Sequence, residues 1–353
     1  MTKDETLHRA MFAYPTGENL RCRLCAHECV IEEGSHGRCQ VRVHRGGTLY
    51  SRVYGRTVAR HVDPIEKKPL FHFQPGSRSL SMAAPGCNMR CPWCQNWEIS
   101  QCVPTDIAGW GEPATPKEIV AQARAQSCRS ISFTYTEPTI FFEYAYDIAR
   151  QATSAGLSTV FVTNGYMTGE ALTTIAPVLD AASVDLKAFS DRAYQELTGA
   201  RLRPVLDTLE RMRDLDLWIE VTTLIVPDVN DDASQLRSLA AFIADALGRD
   251  TPWHISRFFP AYRMSQAEPT PAETLRSAAR IGAEAGLRYV YAGNVGGRAS
   301  TVCSSCGASL IERSGFDVVE NRVTETSGCP SCGAPVAGVE LAPSRPGERE
   351  RAP

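Results

Sequence analysis

Eleven of the thirteen cysteines in this 353-residue chain fall in three clusters with short internal spacings. In a reducing compartment, cysteines two or three residues apart more often bind a metal than pair as disulfides. The sequence therefore predicts three metal centres, and it leaves Cys102 and Cys128 as ordinary small residues. The clusters are Cys22, Cys25, Cys29 and Cys39; Cys87, Cys91 and Cys94; and Cys303, Cys306, Cys329 and Cys332.

The middle cluster has too few thiols for a closed structural site. A structural zinc ion takes four ligands and the common iron–sulfur clusters take four thiolates, so Cys87, Cys91 and Cys94 complete neither alone. A ferredoxin-type electron carrier with Cys102 as the fourth ligand is one alternative, although the bacterial ferredoxin spacing differs. We instead expect the three cysteines to hold a [4Fe-4S] cluster with one iron open to an outside ligand.

The two terminal clusters each offer four thiols. The pairs Cys303-x2-Cys306 and Cys329-x2-Cys332 fit a zinc ribbon, and an auxiliary iron–sulfur cluster is the weaker alternative. For Cys22, Cys25, Cys29 and Cys39, spacing does not distinguish zinc from a second iron–sulfur cluster, because both bind thiolates well.

Between the middle and last clusters, short apolar runs alternate with amphipathic stretches. Helix start signals precede several of these stretches, as at Thr115-Pro116-Lys117-Glu118. Alternating strands and helices indicate βαβ units and a parallel sheet, and six or seven units predict a partial (β/α)6-type barrel with Cys-rich extensions at both ends. The runs are 79–84, 130–135, 159–163, 182–187, 218–226, 253–258 and a weaker one at 289–291.

These patterns divide the chain into four segments. We expect an N-terminal four-cysteine metal-binding segment over 1–75 and a core barrel over 76–295. A zinc-ribbon-like module over 296–340 has too few apolar residues for a core of its own, so a metal must hold it together. The Pro-rich and charged tail over 341–353 is predicted to be disordered.

Composition excludes several classes of protein. Lys and Arg number 37 against 40 for Asp and Glu, a net charge of −3, which argues against a wholly basic nucleic-acid coat. We interpret the Arg-rich stretch from Arg21 to Arg60 as a solvated surface rather than a nucleic-acid site. The sequence shows no apolar run long enough to span a membrane and no signal peptide, so we expect a cytoplasmic protein without membrane contact.

The Cys87-x3-Cys91-x2-Cys94 motif resembles the signature of the radical S-adenosylmethionine (SAM) superfamily. The resemblance implies that the amino and carboxylate groups of SAM chelate the open iron and that Trp93 contacts the adenine. It also implies that Glu137, in Thr136-Glu137-Pro138, binds the SAM amino group. Asn164, Asp185 and Lys187, at the ends of the next two predicted strands, resemble segments that approach SAM in glycyl-radical-activating enzymes.

A narrower resemblance covers about residues 18–340. Its motifs look like those of the AmmeMemoRadiSam-system radical SAM enzyme, a pyruvate formate-lyase-activating enzyme homologue. This resemblance implies AMMECR-type and Memo-type protein partners and a flavodoxin- or ferredoxin-type reductant. The motifs are the N-terminal cysteines, Asp63 to Phe73, Cys94-Gln95-Asn96-Trp97, Thr134 to Thr139, and Ala292-Gly293-Asn294-Val295.

The expected activity is reductive cleavage of SAM to methionine and a 5′-deoxyadenosyl radical. That radical abstracts hydrogen from a glycine of a partner protein or from another substrate, which no residue pattern specifies. The alternative is a zinc-binding scaffold or nucleic-acid-binding protein with an inert barrel, which would not require three thiolates at the barrel mouth.

Overall fold

In a computed structural model of the chain, residues 7–104, 110–293 and 298–343 are described. They form an α/β structure in which small antiparallel sheets accompany one large, mostly parallel sheet. Of the tail predicted to be disordered, residues 344–353 lie outside the described part, as do Asn294 and Val295. Leu341, at the start of that tail, is buried in the core of the C-terminal module.

The N-terminal segment contributes short strands to small sheets. Strands β2, β3 and β4 form one antiparallel sheet, and β1, β6 and β5 form another. Both sheets pack on the main hydrophobic core through residues such as Leu20, Ile31 and Leu49. The strands are β1 (His8–Arg9), β2 (Ala13–Thr16), β3 (Asn19–Cys22), β4 (Val30–Ile31), β5 (Arg42–Arg45), β6 (Thr48–Ser51) and β7 (Arg56–Thr57).

The large sheet has eight strands within the described residues, in the order β16-β15-β14-β13-β12-β11-β9-β8. Strands β9 and β11 to β16 are parallel, and β8 pairs antiparallel with β9 at one edge. The remaining short strand, β10, pairs with β7. The strands are β8 (Ala59–Pro64), β9 (Arg78–Ala83), β10 (Glu112–Pro113), β11 (Ser130–Phe133), β12 (Ser158–Thr163), β13 (Ala181–Asp185), β14 (Trp218–Ile225), β15 (Trp253–Arg257) and β16 (Val290–Gly293).

The predicted α/β architecture is confirmed, and all seven predicted apolar runs overlap parallel strands. Most side chains of β9 and of β11 to β15 are buried, as is usual for parallel strands covered by helices, whereas those of β16 are mostly half-buried. Strand β8 was not predicted, because Val62 is its single large apolar residue and Pro64 ends it. Although β8 belongs to the 1–75 segment, it adds an edge strand to the large sheet.

Helices follow most of the parallel strands. Thr115 caps α2 in a capping box with Glu118, so the predicted start signal there is confirmed, and Asp232 caps α7. Short 3-10 helices occupy Ile65–Lys67, Pro138–Phe141, Ala176–Val178 and Tyr262–Met264, and π-helical turns occupy Tyr194–Thr198 and Ile243–Leu247. The helices are α1 (Trp97–Ser100), α2 (Pro116–Ala125), α3 (Phe142–Ser154), α4 (Gly169–Ile175), α5 (Asp191–Ala193), α6 (Leu202–Asp214), α7 (Ala233–Phe242) and α8 (Ala272–Glu284).

The C-terminal module consists of β17 (Arg298–Val302), β18 (Ser309–Ser314) and β19 (Asp317–Asn321) in one antiparallel sheet, followed by a second cysteine turn. Its core is small and includes Leu310, Ile311 and Leu341. Val339 forms a β-bridge with Phe73, in the loop that precedes β9. The module therefore packs directly against the loop that precedes β9.

Candidate functional site

All eight residues predicted for the cluster and SAM line one cavity of about 810 Å³. The carboxyl ends of parallel strands meet on one side of a barrel, which brings the segments that follow β9, β11, β12 and β13 together. Segment 66–71 and the C-terminal residues Ala299, Gly315 and Phe316 complete the wall. The predicted residues are Cys87, Cys91, Trp93, Cys94, Glu137, Asn164, Asp185 and Lys187.

The cysteine loop begins at Gly86, which has a φ of +102°. A Cβ at this position would come within 2.9 Å of Val41 and 3.1 Å of the Cys39 carbonyl oxygen, so only glycine fits between the loop and the N-terminal segment. The Met89 amide donates to Cys87 Sγ at 3.4 Å, and Cys94 Sγ lies 3.3 Å from Ser100 Oγ. The loop is therefore held in place by contacts on both sides.

The thiol environment fits an iron–sulfur cluster. Burial raises the pKa of Cys91 to about 11 and raises that of Cys87 well above its ordinary value, with the Glu137 charge adding to the effect at Cys87. Buried thiols of this kind ionise when a metal supplies the compensating positive charge. Asn88 Nδ2 is buried without a hydrogen-bond partner within the described residues. The three thiols and this amide form a donor set suited to a sulfur-rich cluster.

Glu137 lies at the carboxyl end of β11 with 1% of its surface exposed. Its Oε1 accepts hydrogen bonds from the Thr139 amide, Thr139 Oγ1 and Thr163 Oγ1 at 2.6–3.0 Å, and Oε2 accepts one from the Asn164 amide at 2.8 Å. Burial nevertheless raises the pKa of this carboxyl. A cationic ligand in the cavity would offset that cost, so Glu137 suits an ammonium group.

Asn164, Asp185 and Lys187 lie next to the cysteine loop. Asn164 Nδ2 donates to Asn88 Oδ1 at 2.8 Å and lies 3.8 Å from Cys87 Sγ. Lys187 Nζ donates to Asp185 Oδ2 at 3.1 Å, and its backbone amide donates to Tyr194 Oη at 3.0 Å. Trp93 is 5% exposed and gives the cavity an aromatic wall beside the thiols.

The four C-terminal cysteines form a compact metal-ligand cluster. Their sulfur atoms all lie within 4.8 Å of one another, and elsewhere in the described residues no three His, Cys, Asp or Glu ligand atoms come this close together. Each Cys-x2-Cys-Gly turn is closed by an amide bond across it, from Gly307 to Cys303 and from Gly333 to Cys329, both at 2.9 Å. Both glycines have a φ of +74°. The paired turns fit one tetrahedral ion.

The four N-terminal cysteines line a different and much smaller cavity of about 10 Å³. Burial raises the pKa of Cys39 to about 11 and also raises those of Cys22 and Cys25. Arg42 lines the same cavity and forms a buried ion pair with Glu143 at 2.7 Å. A volume near that of one water-sized sphere is too small for a four-iron cluster, but no three of these sulfur atoms are gathered as closely as those of the C-terminal cluster.

From the sequence, His254 in the run 253–258 either faces the barrel interior and a substrate or is a core histidine bonded to a backbone carbonyl. The structure instead pairs His254 Nε2 with Glu220 Oε2 at 2.6 Å. Glu220 also accepts the amides of Phe71 and His72 at 2.9 and 2.7 Å, and Trp218 Nε1 at 3.1 Å. A lone acidic residue inside the apolar run 218–226 was the signal that could have identified this buried centre.

A second cluster was also missed by the sequence reasoning. Lys67, Lys68 and Tyr135 all line the large cavity, and their polar atoms converge on the Asp63 carboxylate. Asp63 and the two lysines fall in the motif quoted above, but nothing in the sequence indicates that Tyr135, 72 residues from Asp63, joins them.

The sequence of this chain is similar to those of several known proteins. Residues 82–240 match the model of the Radical SAM superfamily. Uncharacterized protein MJ0808 of Methanocaldococcus jannaschii is 44% identical over 331 residues, covering 93% of this chain and 98% of that protein. The pyruvate formate-lyase-activating enzyme of Clostridium pasteurianum is 26% identical over 175 residues, covering 48% of this chain and 70% of the enzyme.

A solved structure of a domain of pyruvate-formate lyase-activating enzyme from Bacteroides vulgatus superposes with a TM-score of 0.41 at 18% identity. It covers 47% of this chain and 99% of that domain. None of the helices within the described residues has the length and apolar character needed to cross a bilayer.

Proposed function

This chain belongs to the radical SAM superfamily, and we propose that it abstracts hydrogen from a substrate admitted to the 810 Å³ cavity. A radical SAM domain implies a [4Fe-4S] cluster and SAM. Reductive cleavage of SAM by such a cluster would give methionine and a 5′-deoxyadenosyl radical. The observation that supports the proposal is the convergence of three thiols, one buried and two half-buried, and the buried Glu137 carboxylate on that one cavity.

The residues of the chain have separate roles in this proposal. Cys87, Cys91 and Cys94 would hold the cluster, and Glu137 would accept a hydrogen bond from the SAM ammonium. Asn164, Asp185 and Lys187 would orient SAM. Trp93 would stack on its adenine and exclude water from the reacting centre.

We extend the proposal to the substrate class suggested by the relative from Clostridium pasteurianum. In that version the hydrogen comes from a glycine of a partner protein, and a flavodoxin- or ferredoxin-type protein supplies the electron. AMMECR-type and Memo-type proteins are the proposed partners. The sequence resemblance supports these partners.

We propose that both terminal cysteine clusters bind zinc. For Cys303, Cys306, Cys329 and Cys332, the close approach of the four sulfur atoms supports one structural ion. For Cys22, Cys25, Cys29 and Cys39, the small cavity that they share supports a single ion over a second iron–sulfur cluster. Each chain would therefore hold one iron–sulfur cluster and two zinc ions.

Metal analysis of anaerobically reconstituted protein tests this assignment. We expect about four iron atoms and about two zinc atoms per chain. Cys91→Ala should lose the iron and the brown colour while keeping both zinc ions. Cys102→Ala is the matched control, because Cys102 is exposed and does not line the cavity.

The outcomes separate the alternatives. Loss of iron in Cys102→Ala would favour the ferredoxin-type carrier, in which that residue is the fourth ligand. A colourless protein that binds zinc alone would contradict the enzyme and favour the zinc-binding scaffold. Salt-dependent binding of nucleic acid by such a protein would favour a nucleic-acid-binding role.

A further inference from the structure

We propose that Lys68, with Lys67, Asp63 and Tyr135, forms an anion-binding subsite in the large cavity, and that the substrate carries a carboxylate or phosphate group that binds there. This inference rests on the proposed function, because it concerns the substrate of the same cavity. It assigns a role to charged residues that are not among those proposed above to hold the cluster or SAM.

Lys68 is an unusual lysine because only 2% of its side chain is exposed. Its ammonium donates to Asp63 Oδ2 at 2.6 Å and lies 4.6 Å from the centroid of the Tyr135 ring. An ammonium has three protons, so the bond to Asp63 leaves others for a ligand. Since Lys68 lines the cavity, those protons are available to an anion there.

The charges around Asp63 do not balance. Lys67 donates to Oδ1 at 2.9 Å, while Lys68 and Tyr135 both donate to Oδ2, at 2.6 and 2.5 Å. One carboxylate therefore faces two ammonium groups, which leaves this cluster with one net positive charge. The neighbouring acid, Glu66, does not cancel that charge, because it is paired with the buried Arg313.

Burial makes this excess charge costly in the absence of an anion. Burial lowers the pKa of Lys68 to about 8, although the hydrogen bond to Asp63 opposes the shift. An anion bound beside the ammonium would recover part of the lost solvation and favour the charged form of lysine. The lysine is also held in place before binding, so little side-chain entropy remains to be lost.

The backbone of Tyr135 supplies an independent observation. Its φ is +64°, a left-handed conformation in which a bulky residue is strained and glycine is favoured. Strained residues of this kind cluster at functional sites, where the surrounding structure holds them. Here the Asn96 side chain donates to the Tyr135 carbonyl oxygen at 2.7 Å, and the phenol is fixed on Asp63. In this conformation, the hydroxyl and the aromatic face of Tyr135 lie beside Lys68.

The subsite lies close to the proposed SAM residues. Tyr135 precedes Glu137 by two residues at the end of β11, and both line the same cavity as Cys87. An anion on Lys68 would therefore be held in the cavity that contains the reacting centre. A charged group bound there would fix the orientation of the substrate for hydrogen abstraction.

Titration of the reconstituted protein with simple anions tests the proposal. Sulfate represents a phosphate group and acetate represents a carboxylate, and isothermal titration calorimetry measures each affinity. We expect saturable binding of one of them to the wild type, at least about tenfold weaker in Lys68→Met, because a charge-assisted contact is lost. Lys68→Arg should retain affinity within about threefold, since it keeps the charge.

Two further variants keep the test decisive. Lys117→Met removes an exposed lysine on α2 outside the cavity and should bind the anion as the wild type does. Lys67→Met should fold even if Lys68→Met does not, because the Lys67 side chain is 46% exposed, and it should weaken binding by roughly threefold through the loss of one nearby charge.

Preference for sulfate would assign a phosphate group to the substrate, and preference for acetate would assign a carboxylate. Absence of saturable binding of both, or equal affinities of wild type and Lys68→Met, would overturn the proposal. Anion binding does not require SAM cleavage. A protein that binds the anion through Lys68 but forms no 5′-deoxyadenosine would refute the proposed function and retain the subsite.

Discussion

Arg313 and Glu66 form an ion pair with both side chains fully buried, although 247 residues separate them along the chain. The guanidinium also donates to the Phe71 carbonyl oxygen at 2.7 Å and to Thr301 Oγ1 at 3.0 Å. Glu66 in turn accepts the Gly76 amide at 2.9 Å. The pair therefore fastens the C-terminal module to the segment that forms one wall of the large cavity.

Arg313→Met should destabilise the protein strongly, because it leaves the Glu66 carboxylate buried without its partner. Removing one member of a buried ion pair costs about 3–5 kcal/mol in the free energy of unfolding. Arg322→Met is the matched control, since the Arg322–Glu320 pair is about half exposed and should cost about 1 kcal/mol or less. Chemical denaturation measures both, and equal effects would contradict the structural role of Arg313.

Cys306→Ser should remove one zinc ion per chain and loosen the C-terminal module. The core of that module is small, so the metal must supply much of its stability. We expect faster proteolysis between residues 298 and 343, measured by mass spectrometry, and a lower melting temperature. Cys102→Ser should change neither. Unchanged zinc content in Cys306→Ser would refute the assigned ligand set.

Glu137→Gln should weaken SAM binding at least about tenfold, because a neutral amide replaces the negative partner of the SAM ammonium. Iron content should stay at the wild-type level, since Glu137 is not a cluster ligand. Equilibrium dialysis with labelled SAM measures the affinity, and Glu284→Gln, an exposed residue at the end of α8, is the control. Unaltered SAM affinity in Glu137→Gln would contradict the role proposed for Glu137.

Sulfate binding should weaken as the pH rises through about 8, because Lys68 loses its proton there. The groups that face Lys68 are Asp63, Lys67 and Tyr135, with His61 packed on the tyrosine ring. Hydrogen bonding to the lysines lowers the pKa of Asp63 despite burial, and burial raises that of Tyr135, so neither titrates near pH 8.

Sulfate itself keeps its charge over this range, so a fall in affinity reflects the loss of a proton from a group of the protein. Lys68→Arg is the control, because a guanidinium stays protonated and its profile should be flat between about pH 7 and 9. A wild-type profile as flat as that of Lys68→Arg would contradict the assignment of the titrating group to Lys68.

The local features of the structure were predictable from the sequence. Cysteine spacing identified the three clusters, and the alternation of apolar runs with capped helices identified the parallel sheet. The convergence of Cys87, Glu137 and Asn164 on one cavity also follows from strand ends meeting in a parallel barrel.

The pairings between distant segments were not predictable. The contact between Glu66 and Arg313 depends on how the loop before β9 packs against the C-terminal module. The contact between Asp63 and Tyr135 depends on β8 joining the edge of the large sheet beside β9. Periodicity describes which face of an element is buried but does not identify its partner. For the same reason, Glu220 was visible as an acid in an apolar strand while His254 was not visible as its partner.

Cys87, Cys91 and Cys94 are proposed above to support the reductive cleavage of SAM. The most direct test is to reduce the anaerobically reconstituted protein with dithionite, add SAM, and follow 5′-deoxyadenosine by chromatography. We predict slow 5′-deoxyadenosine formation by the wild type and by Cys102→Ala, and none by Cys91→Ala. Absence of 5′-deoxyadenosine from a wild-type protein that contains the full complement of iron would contradict the account.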